Sequence, residues 1–112
     1  MEVTVTKPHR SHYPNPIELH PGEEVSVVTE DPSHPGWIRV RTSDGNEGWA
    51  PKDYLQESSN AKATALVKYT ARELNTDEGE KLIVHSELHG WIWVENQNGQ
   101  CGWVPRETVA VP

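Results

Sequence analysis

A block of twenty residues occurs twice in this chain of 112 residues, and the repeat constrains the fold more than any other feature of the sequence. The first copy runs from Gly36 to Leu55, and the second runs from Gly90 to Val109. The leading tryptophans are 54 residues apart (91 − 37), and the second tryptophans keep the same offset (103 − 49). Because this register is kept without a gap, one structural unit is used twice.

Each copy has the pattern of a β-hairpin. Apolar residues that suit a pleated, partly buried surface precede an Asp-Gly pair at 44–45 in the first copy and an Asn-Gly pair at 98–99 in the second. Such pairs tolerate the positive φ angles of a two-residue type I′ turn. The return strands reach Pro51 and Pro105, which cannot donate to a ladder, so we expect each strand to end there. One 3₁₀ turn at most is expected after each proline, and no stretch predicts a longer helix.

Motifs around these hairpins resemble those of the Src-homology-3 (SH3) family. The run GWAPKDYL, from Gly48 to Leu55, resembles the closing motif of that family position for position. In the second repeat, ALVKY at 65–69 resembles the opening Ala-Leu-Tyr-Asp-Tyr, and GEKL at 79–82 resembles the Gly-Asp-x-Leu that follows it. The chain is therefore similar to tandem SH3-like proteins of bacterial type. This resemblance implies an all-β fold of two small SH3-like β-barrels in tandem, at residues 1–56 and 63–112, joined by a short linker at 57–62.

Composition agrees with two small domains rather than one large core. Hydrophobic residues make up 34% of the chain, and phenylalanine is absent. Small domains bury only ~60% of their unfolded surface, so we expect each barrel to be marginal alone and to be stabilised by its neighbour. The stretch from Gln56 to Lys62 is the only one with the composition of a linker, and it is too short to let two domains move far apart.

Charge and composition also argue against several classes of partner. The formal net charge of −7 repels phosphate backbones and anionic lipids, so binding to nucleic acid or to a membrane surface is not expected. The N-terminal residues have no apolar stretch of the kind found in export signals, and no run is long enough to span a membrane. We therefore expect a cytoplasmic protein whose partner is another protein or a peptide. The sequence leaves its oligomeric state open.

Catalytic and metal sites are not expected from the sequence. It contains no nucleophile motif and no glycine-rich loop for phosphate. Among the six histidines, His9 and His12 are spaced by three, but the proline-rich loop around them provides no helical face to align them. The single cysteine, Cys101, excludes an internal disulfide and a cage of thiolates, and we expect it to be a small packed residue. We expect no enzyme activity, no cofactor and no metal.

The aromatic residues of the two repeats are the candidates for ligand binding. In the SH3 family such residues form a groove for a polyproline-II helix, whose proline rings fit between flat aromatic side chains. The acids in the first loop of repeat 2 are expected to pair with a basic ligand residue, whereas Lys7 and Arg10 disfavour this in repeat 1. The predicted ligand-binding residues are Trp37, Trp49, Pro51 and Tyr54 in repeat 1, and Tyr69, Glu73, Asp77, Glu78, Trp91, Trp103 and Pro105 in repeat 2.

Both repeats depart from the family pattern. Repeat 2 has Val67 in place of the first tyrosine of the opening motif and Thr108 in place of the closing tyrosine. Repeat 1 keeps the closing tyrosine but lacks the opening motif. Neither repeat therefore has a complete groove. We expect Trp37 and Trp91 to be exposed in what remains of the grooves, and Trp93 to pack within its barrel.

Two classes of function stay open. The first is a non-catalytic interaction module whose tandem domains bind an extended segment of a partner protein, for which a proline-rich sequence is one option. The alternative is a structural or accessory subunit in which the barrels pack together or against another chain and the tryptophans are buried. A cell-wall-binding protein and an enzyme are further alternatives that the sequence disfavours. The exposure of the tryptophans distinguishes the first two.

Overall fold

The computed structural model describes residues 1–30 and 32–111, and these residues fold almost entirely as β-strands. The strands are β1 (Glu2–Val5), β2 (Glu18–Leu19), β3 (Glu24–Glu30), β4 (Trp37–Arg41), β5 (Glu47–Pro51), β6 (Leu55–Ser58), β7 (Lys62–Ala65), β8 (Tyr69–Thr70), β9 (Lys81–Leu88), β10 (Trp91–Glu95), β11 (Cys101–Pro105) and β12 (Val109–Ala110). Strands β5 and β11 end at their prolines and lead into single 3₁₀ turns at Lys52–Tyr54 and Arg106–Thr108. The all-β prediction and both predicted 3₁₀ turns are confirmed. Among the described residues, no helix has the length and apolar character needed to cross a membrane.

The chain divides into two compact units whose limits differ from those of the sequence repeats. The central unit is Asn15–Ala71, and the terminal unit is Met1–Pro14 together with the chain from Arg72 onward. Each unit therefore contains the hairpin block of one repeat and the first strand of the other. The chain passes from one unit to the other twice, after Pro14 and after Ala71.

The terminal unit is built on an open five-stranded antiparallel sheet in the order β11-β10-β9-β1-β12. Strand β1 belongs to repeat 1 but lies between β9 and β12 of repeat 2, with Val3 opposite Leu82 and Val5 opposite Val109. The alternation in EVTV suits this position, because side chains alternate along a strand and both valines are buried. The core of the unit consists of Val3, Val5, Leu74, Leu82, Ile92, Val94, Val104 and Val109.

The central unit has a five-stranded sheet of the same arrangement, in the order β5-β4-β3-β7-β6. Strand β7 of repeat 2 takes the position between β3 and β6 of repeat 1, with Ala63 opposite Val25. A separate pair of short strands, β2 and β8, places Leu19 opposite Tyr69. The buried aliphatic residues of this unit are Ile17, Leu19, Val25, Ile38, Val40, Ala50, Leu55, Ala63 and Ala65.

The segment expected to be a linker, residues 57–62, forms part of a hairpin in the central unit. Strand β6 pairs with β7, and Asn60 and Ala61 turn the chain with φ angles of 64° and 56°. This hairpin is held in place because β7 also pairs with β3, which buries Ala63 and Ala65. The division at 1–56 and 63–112 thus describes the repeats of the sequence. The compact units differ from it, because each contains the first strand of the other repeat.

The two hairpins of the repeated block form as predicted, but their turns have three residues rather than two. Gly45 and Gly99 have φ angles of 86° and 80°, whereas neither Asp44 nor Asn98 has a positive φ. A type I′ turn needs positive φ at both central residues, so that prediction is wrong. In each turn the glycine N–H donates to the carbonyl three residues earlier, as in a type I turn followed by a left-handed glycine.

Candidate functional site

One face of β4 and β5 in the central unit carries three of the binding residues predicted for repeat 1. Trp37 lies opposite Pro51 in the strand register, and Arg39 lies opposite Trp49. Ile38, between Trp37 and Arg39, is completely buried in the core. Because side chains alternate along a strand, Trp37, Trp49 and Pro51 share the face that is turned away from that core.

Two tyrosines from different repeats meet in this unit. Tyr54 ends the 3₁₀ turn after Pro51, and Tyr69 lies in β8, in the opening motif of repeat 2. Their ring centroids are 5.9 Å apart in an edge-to-face arrangement, with an interplanar angle of 67°. The Tyr69 hydroxyl donates a hydrogen bond of 3.0 Å to the backbone carbonyl of Trp49. The closing motif of one repeat and the opening motif of the other therefore form one cluster, named here the central aromatic face: Trp37, Trp49, Pro51, Tyr54 and Tyr69.

The side chains of the central aromatic face differ in exposure. Trp37 and Tyr69 are 8% and 5% exposed, so little of either side chain reaches solvent. The prediction that Trp37 is exposed in a groove is therefore wrong, because most of the surface of this side chain is buried. Trp49 and Tyr54 are partly exposed, and Val67, two residues before Tyr69, is exposed. Most of the accessible aromatic surface thus belongs to Trp49 and Tyr54.

Aromatic and charged groups surround Trp49. His34 stacks on its indole with a centroid distance of 4.9 Å and an interplanar angle of 24°, and the Arg39 guanidinium lies 6.0 Å from the ring centroid. The Glu47 carboxylate accepts hydrogen bonds of 2.8 Å from Arg41 and 3.0 Å from Arg39. These hydrogen bonds, that from Arg41 foremost, hold the pKa of Glu47 below its ordinary value. They also keep Arg39 in place next to Trp49.

The corresponding face of the terminal unit carries three tryptophans. Trp91 lies opposite Pro105, and Trp93 lies opposite Trp103, with ring centroids 5.3 Å apart. Trp103 is buried, and Trp91 and Trp93 are partly exposed. The edge contact between Trp93 and Trp103 agrees with the expectation that Trp93 packs within its unit. Of the two tryptophans predicted as binding residues in this unit, Trp91 is the partly exposed one.

Neither tyrosine position of the terminal unit holds a tyrosine. His9 stands at the position of Tyr69. It comes four residues after Val5, the last residue of β1, and Tyr69 comes four residues after Ala65, the last residue of β7. The His9 ring meets Trp91 edge-on with centroids 5.8 Å apart. Thr108, in place of the closing tyrosine, is buried, and its hydroxyl donates to the carbonyl of Pro105 at 2.7 Å. The aromatic set of this unit is therefore incomplete.

Two of the three predicted acidic residues contact basic side chains within the terminal unit. Glu73 Oε1 lies 2.7 Å from His9 Nε2, and Asp77 accepts a hydrogen bond of 2.5 Å from Arg10. These contacts arise from the strand exchange, because β1 carries the residues that follow it, His9 and Arg10, into the unit that contains Glu73 and Asp77. Glu78 is exposed. Glu73 and Asp77 are thus engaged by the same basic loop that was expected to act only in repeat 1.

The structure does not bring together the whole group predicted for repeat 2. Tyr69 belongs to the central unit, whereas Trp91, Trp103 and Pro105 belong to the terminal unit. The reason is the exchange of first strands, because Tyr69 follows β7 along the chain and pairs with Leu19.

Sequence reasoning missed two neighbours of Trp49. Arg39 alternates with Trp37 along β4, so the period of two in a strand could have placed it on the same face. His34 lies in the loop before β4, and no local pattern marks it as a partner of an aromatic ring.

Comparison with known families agrees with this geometry. A model described as a variant SH3 domain matches residues 3–58, which is half of the chain, and a model described as an SH3 domain matches residues 65–106. The chain belongs to the SH3 family. Both matches follow the sequence repeats. Strand β1 of the first SH3 sequence therefore lies in the terminal unit, and strand β7 of the second lies in the central unit. SH3 domains are non-catalytic interaction modules, and the tandem pair supports a protein-interaction module.

The relatives are larger SH3 proteins. The chain is 26% identical to the mouse "SH3 and PX domain-containing protein 2B" over 93% of its own length and 13% of the relative's. The human protein of that name is 28% identical over 80% of the chain and 11% of the relative. Human "Cdc42-interacting protein 4" is 41% identical over 39% of the chain and 7% of the relative. These relatives are mammalian and lend no support to the bacterial type implied by the resemblance. No solved structure matches the chain significantly.

Proposed function

We propose that the central unit binds an extended, proline-containing segment of a partner protein along the central aromatic face. The observation that carries this proposal is the 5.9 Å contact between Tyr54 and Tyr69. It brings together two tyrosines of the SH3 pattern, one from each incomplete motif, that neither repeat contains alone. A polyproline-II segment suits such a face, because the helix is formed before binding and loses little conformational entropy on docking.

The chemistry of the face fits a ligand with proline rings and few charges. Trp49 and Tyr54 offer the partly exposed ring surfaces on which prolines pack. His34 extends that surface by stacking on Trp49. Leu66 and Val67, exposed by 50% and 43%, supply further apolar surface in the loop before Tyr69. A partner segment that covers these side chains gains free energy from the apolar area it buries.

The terminal unit is not assigned the same activity. Its two tyrosine positions hold His9 and Thr108, and its acids Glu73 and Asp77 contact basic side chains of the same unit. A basic ligand residue therefore has to compete with an internal partner for either acid. This gives the two units different expected affinities and makes the terminal unit an internal control.

An NMR titration of the full chain tests the proposal, because the five tryptophans give separate indole N–H signals. A synthetic proline-rich peptide should shift the signals of Trp37 and Trp49 and leave those of Trp91, Trp93 and Trp103 in place. Trp49→Ala should weaken binding by about thirtyfold, the equivalent of ~2 kcal/mol for an aromatic anchor. The control Trp91→Ala, at a partly exposed site of the terminal unit, should leave the affinity unchanged.

Two results contradict the proposal. Peptide-induced shifts confined to Trp91 and Trp103 assign the binding surface to the terminal unit. If no proline-rich peptide shifts any indole signal, peptide binding is refuted for both units, and a structural or accessory role takes its place.

A further inference from the structure

Three potential metal ligands converge on the sheet of the terminal unit, next to the pair formed by Trp93 and Trp103 along β10 and β11. They are His85 on β9, Glu95 on β10 and Cys101 on β11, and one ligand atom of each lies within 4.8 Å of the other two. His85 Nε2 is 3.0 Å from Glu95 Oε1. These histidine and glutamate side chains are 46% and 41% exposed, and Cys101 is partly exposed, so an ion can reach all three from solvent.

The strand register explains why these three side chains meet. Glu95 lies directly opposite Cys101, so their side chains share one face of the sheet. On the other side, β10 pairs with Val84 and then with Ser86, which leaves His85 as an extra residue in β9. Such a β-bulge changes the direction of a side chain, and bulges are frequent beside functional sites. Here the bulge directs His85 to Glu95.

The same three positions in the central unit carry a different cluster. That sheet has a bulge at Val28, in the position of His85, since β4 pairs with Val27 and then with Thr29. Arg41 stands in the position of Glu95 (95 − 54), and Glu47 stands in the position of Cys101 (101 − 54). Arg41 and Glu47 form an ion pair with 2.8 Å between nitrogen and oxygen. One scaffold thus holds an ion pair in one unit and a nitrogen, an oxygen and a sulfur ligand in the other.

We propose that His85, Glu95 and Cys101 bind a zinc ion. Imidazole nitrogen, carboxylate oxygen and thiolate sulfur are the ligands that zinc prefers, whereas calcium and magnesium select oxygen alone. Zinc bond lengths of about 2.0–2.3 Å correspond to ligand–ligand distances of roughly 3.3–3.7 Å in a tetrahedral site. The nitrogen–oxygen distance is 3.0 Å, and the Cys101 sulfur lies within 4.8 Å of both atoms, so the separations are within about 1 Å of those in a tetrahedral site.

A zinc ion at this site links β9, β10 and β11 and leaves a fourth coordination position for water. The net charge of −7 favours the approach of a divalent cation. Because the ion binds the folded unit, its free energy of binding adds to the stability of that unit.

Calorimetric titration of the reduced full chain with zinc chloride tests this site. One ion should bind per chain, and Cys101→Ser, Glu95→Gln and His85→Val should each weaken binding at least about tenfold. The last substitution installs the residue that the central unit has at the corresponding position. The control His20→Ala removes an exposed histidine of the central unit and should bind zinc as the unaltered chain does. Circular dichroism checks that each variant is folded.

Cobalt(II) supplies a second readout. Cobalt bound to the unaltered chain should show thiolate-to-cobalt charge-transfer absorption, which Cys101→Ser abolishes and His20→Ala keeps. Zinc should raise the unfolding temperature of the unaltered chain and of His20→Ala only. The proposal is overturned if zinc fails to bind, if binding survives all three substitutions, or if it depends on Cys101 but not on His85 and Glu95.

Discussion

The first strand of the chain offers the most direct test of the exchange between repeats. Val3 and Val5 belong by sequence to repeat 1, yet they lie in the core of the terminal unit with Leu82 and Val109 of repeat 2. Replacing both valines with alanine should therefore destabilise the terminal unit and leave the central unit folded. If each repeat instead formed its own unit, the central hairpins would be the ones affected.

The size of the effect follows from burial. Val3 and Val5 are 2% and 1% exposed, so the lost methyl groups are fully buried. Each Val→Ala change removes two carbon groups at about 0.8 kcal/mol apiece. The cavities that remain add to this, so the pair should cost about 4 kcal/mol. A loss of this size is a large part of the ~5–15 kcal/mol that stabilises a typical domain.

Amide hydrogen exchange measured by NMR on the full chain resolves the two units. In the Val3→Ala/Val5→Ala variant, protection should fall in β9, β10 and β11 and persist in β3, β4 and β5. The matched control is Ala63→Gly/Ala65→Gly, because β7 occupies the same place in the central unit as β1 does in the terminal unit. That control should show the reverse pattern. Loss of protection in β3–β5 after the valine substitutions refutes the exchange.

Two further predictions concern individual side chains. Hydrogen bonds from two arginines hold the pKa of Glu47 below its ordinary value of 4.5, so their contribution to stability is complete above that pH and is lost as the pH falls through the lower, folded pKa. The free energy of unfolding of the central unit can be measured with urea at about pH 7 and about pH 3. The decrease in this free energy on acidification should be smaller for Glu47→Gln than for the exposed control Glu18→Gln. Equal decreases contradict this account. A Cβ at Gly102 lies 2.9 Å from the backbone nitrogen of Leu74, whereas a Cβ at Gly48 meets side-chain atoms alone, those of Ile17, at 3.0 Å or more. Gly102→Ala should cost about 1–3 kcal/mol in thermal unfolding and Gly48→Ala less, and the reverse order contradicts the steric argument.

Local features of the fold could be predicted because short-range interactions determine them. The hairpins at Gly45 and Gly99 and the strand ends at Pro51 and Pro105 all appear where the sequence places them. The detailed turn type could not be predicted, since an Asp-Gly pair suits both a two-residue turn and a type I turn with a left-handed glycine. Hydrogen bonds beyond the pair, such as that between the Thr42 N–H and the Asn46 carbonyl, decide between them.

The exchange of first strands could not be predicted from local pattern. Strands β1 and β7 both alternate small apolar residues with polar ones, so either strand can pair with the hairpin of either repeat. The contacts at the candidate site depend on that choice. Tyr69 reaches Tyr54 only because β7 lies in the central unit, and Arg10 reaches Asp77 only because β1 lies in the terminal unit.

The exchange gives a common explanation for the single tyrosines that the two repeats retain from the SH3 pattern. Repeat 1 keeps the closing tyrosine, Tyr54, without an opening motif, and repeat 2 keeps the opening tyrosine, Tyr69, without a closing one. Treated as separate domains, both grooves are defective. In the exchanged arrangement the two retained residues meet in the central unit, and the two replacements, His9 and Thr108, fall together in the terminal unit. The central unit therefore holds both retained tyrosines, with Val67 at the remaining tyrosine position of the opening motif, and the terminal unit holds neither. A ligand that requires both Tyr54 and Tyr69 has a single place to bind.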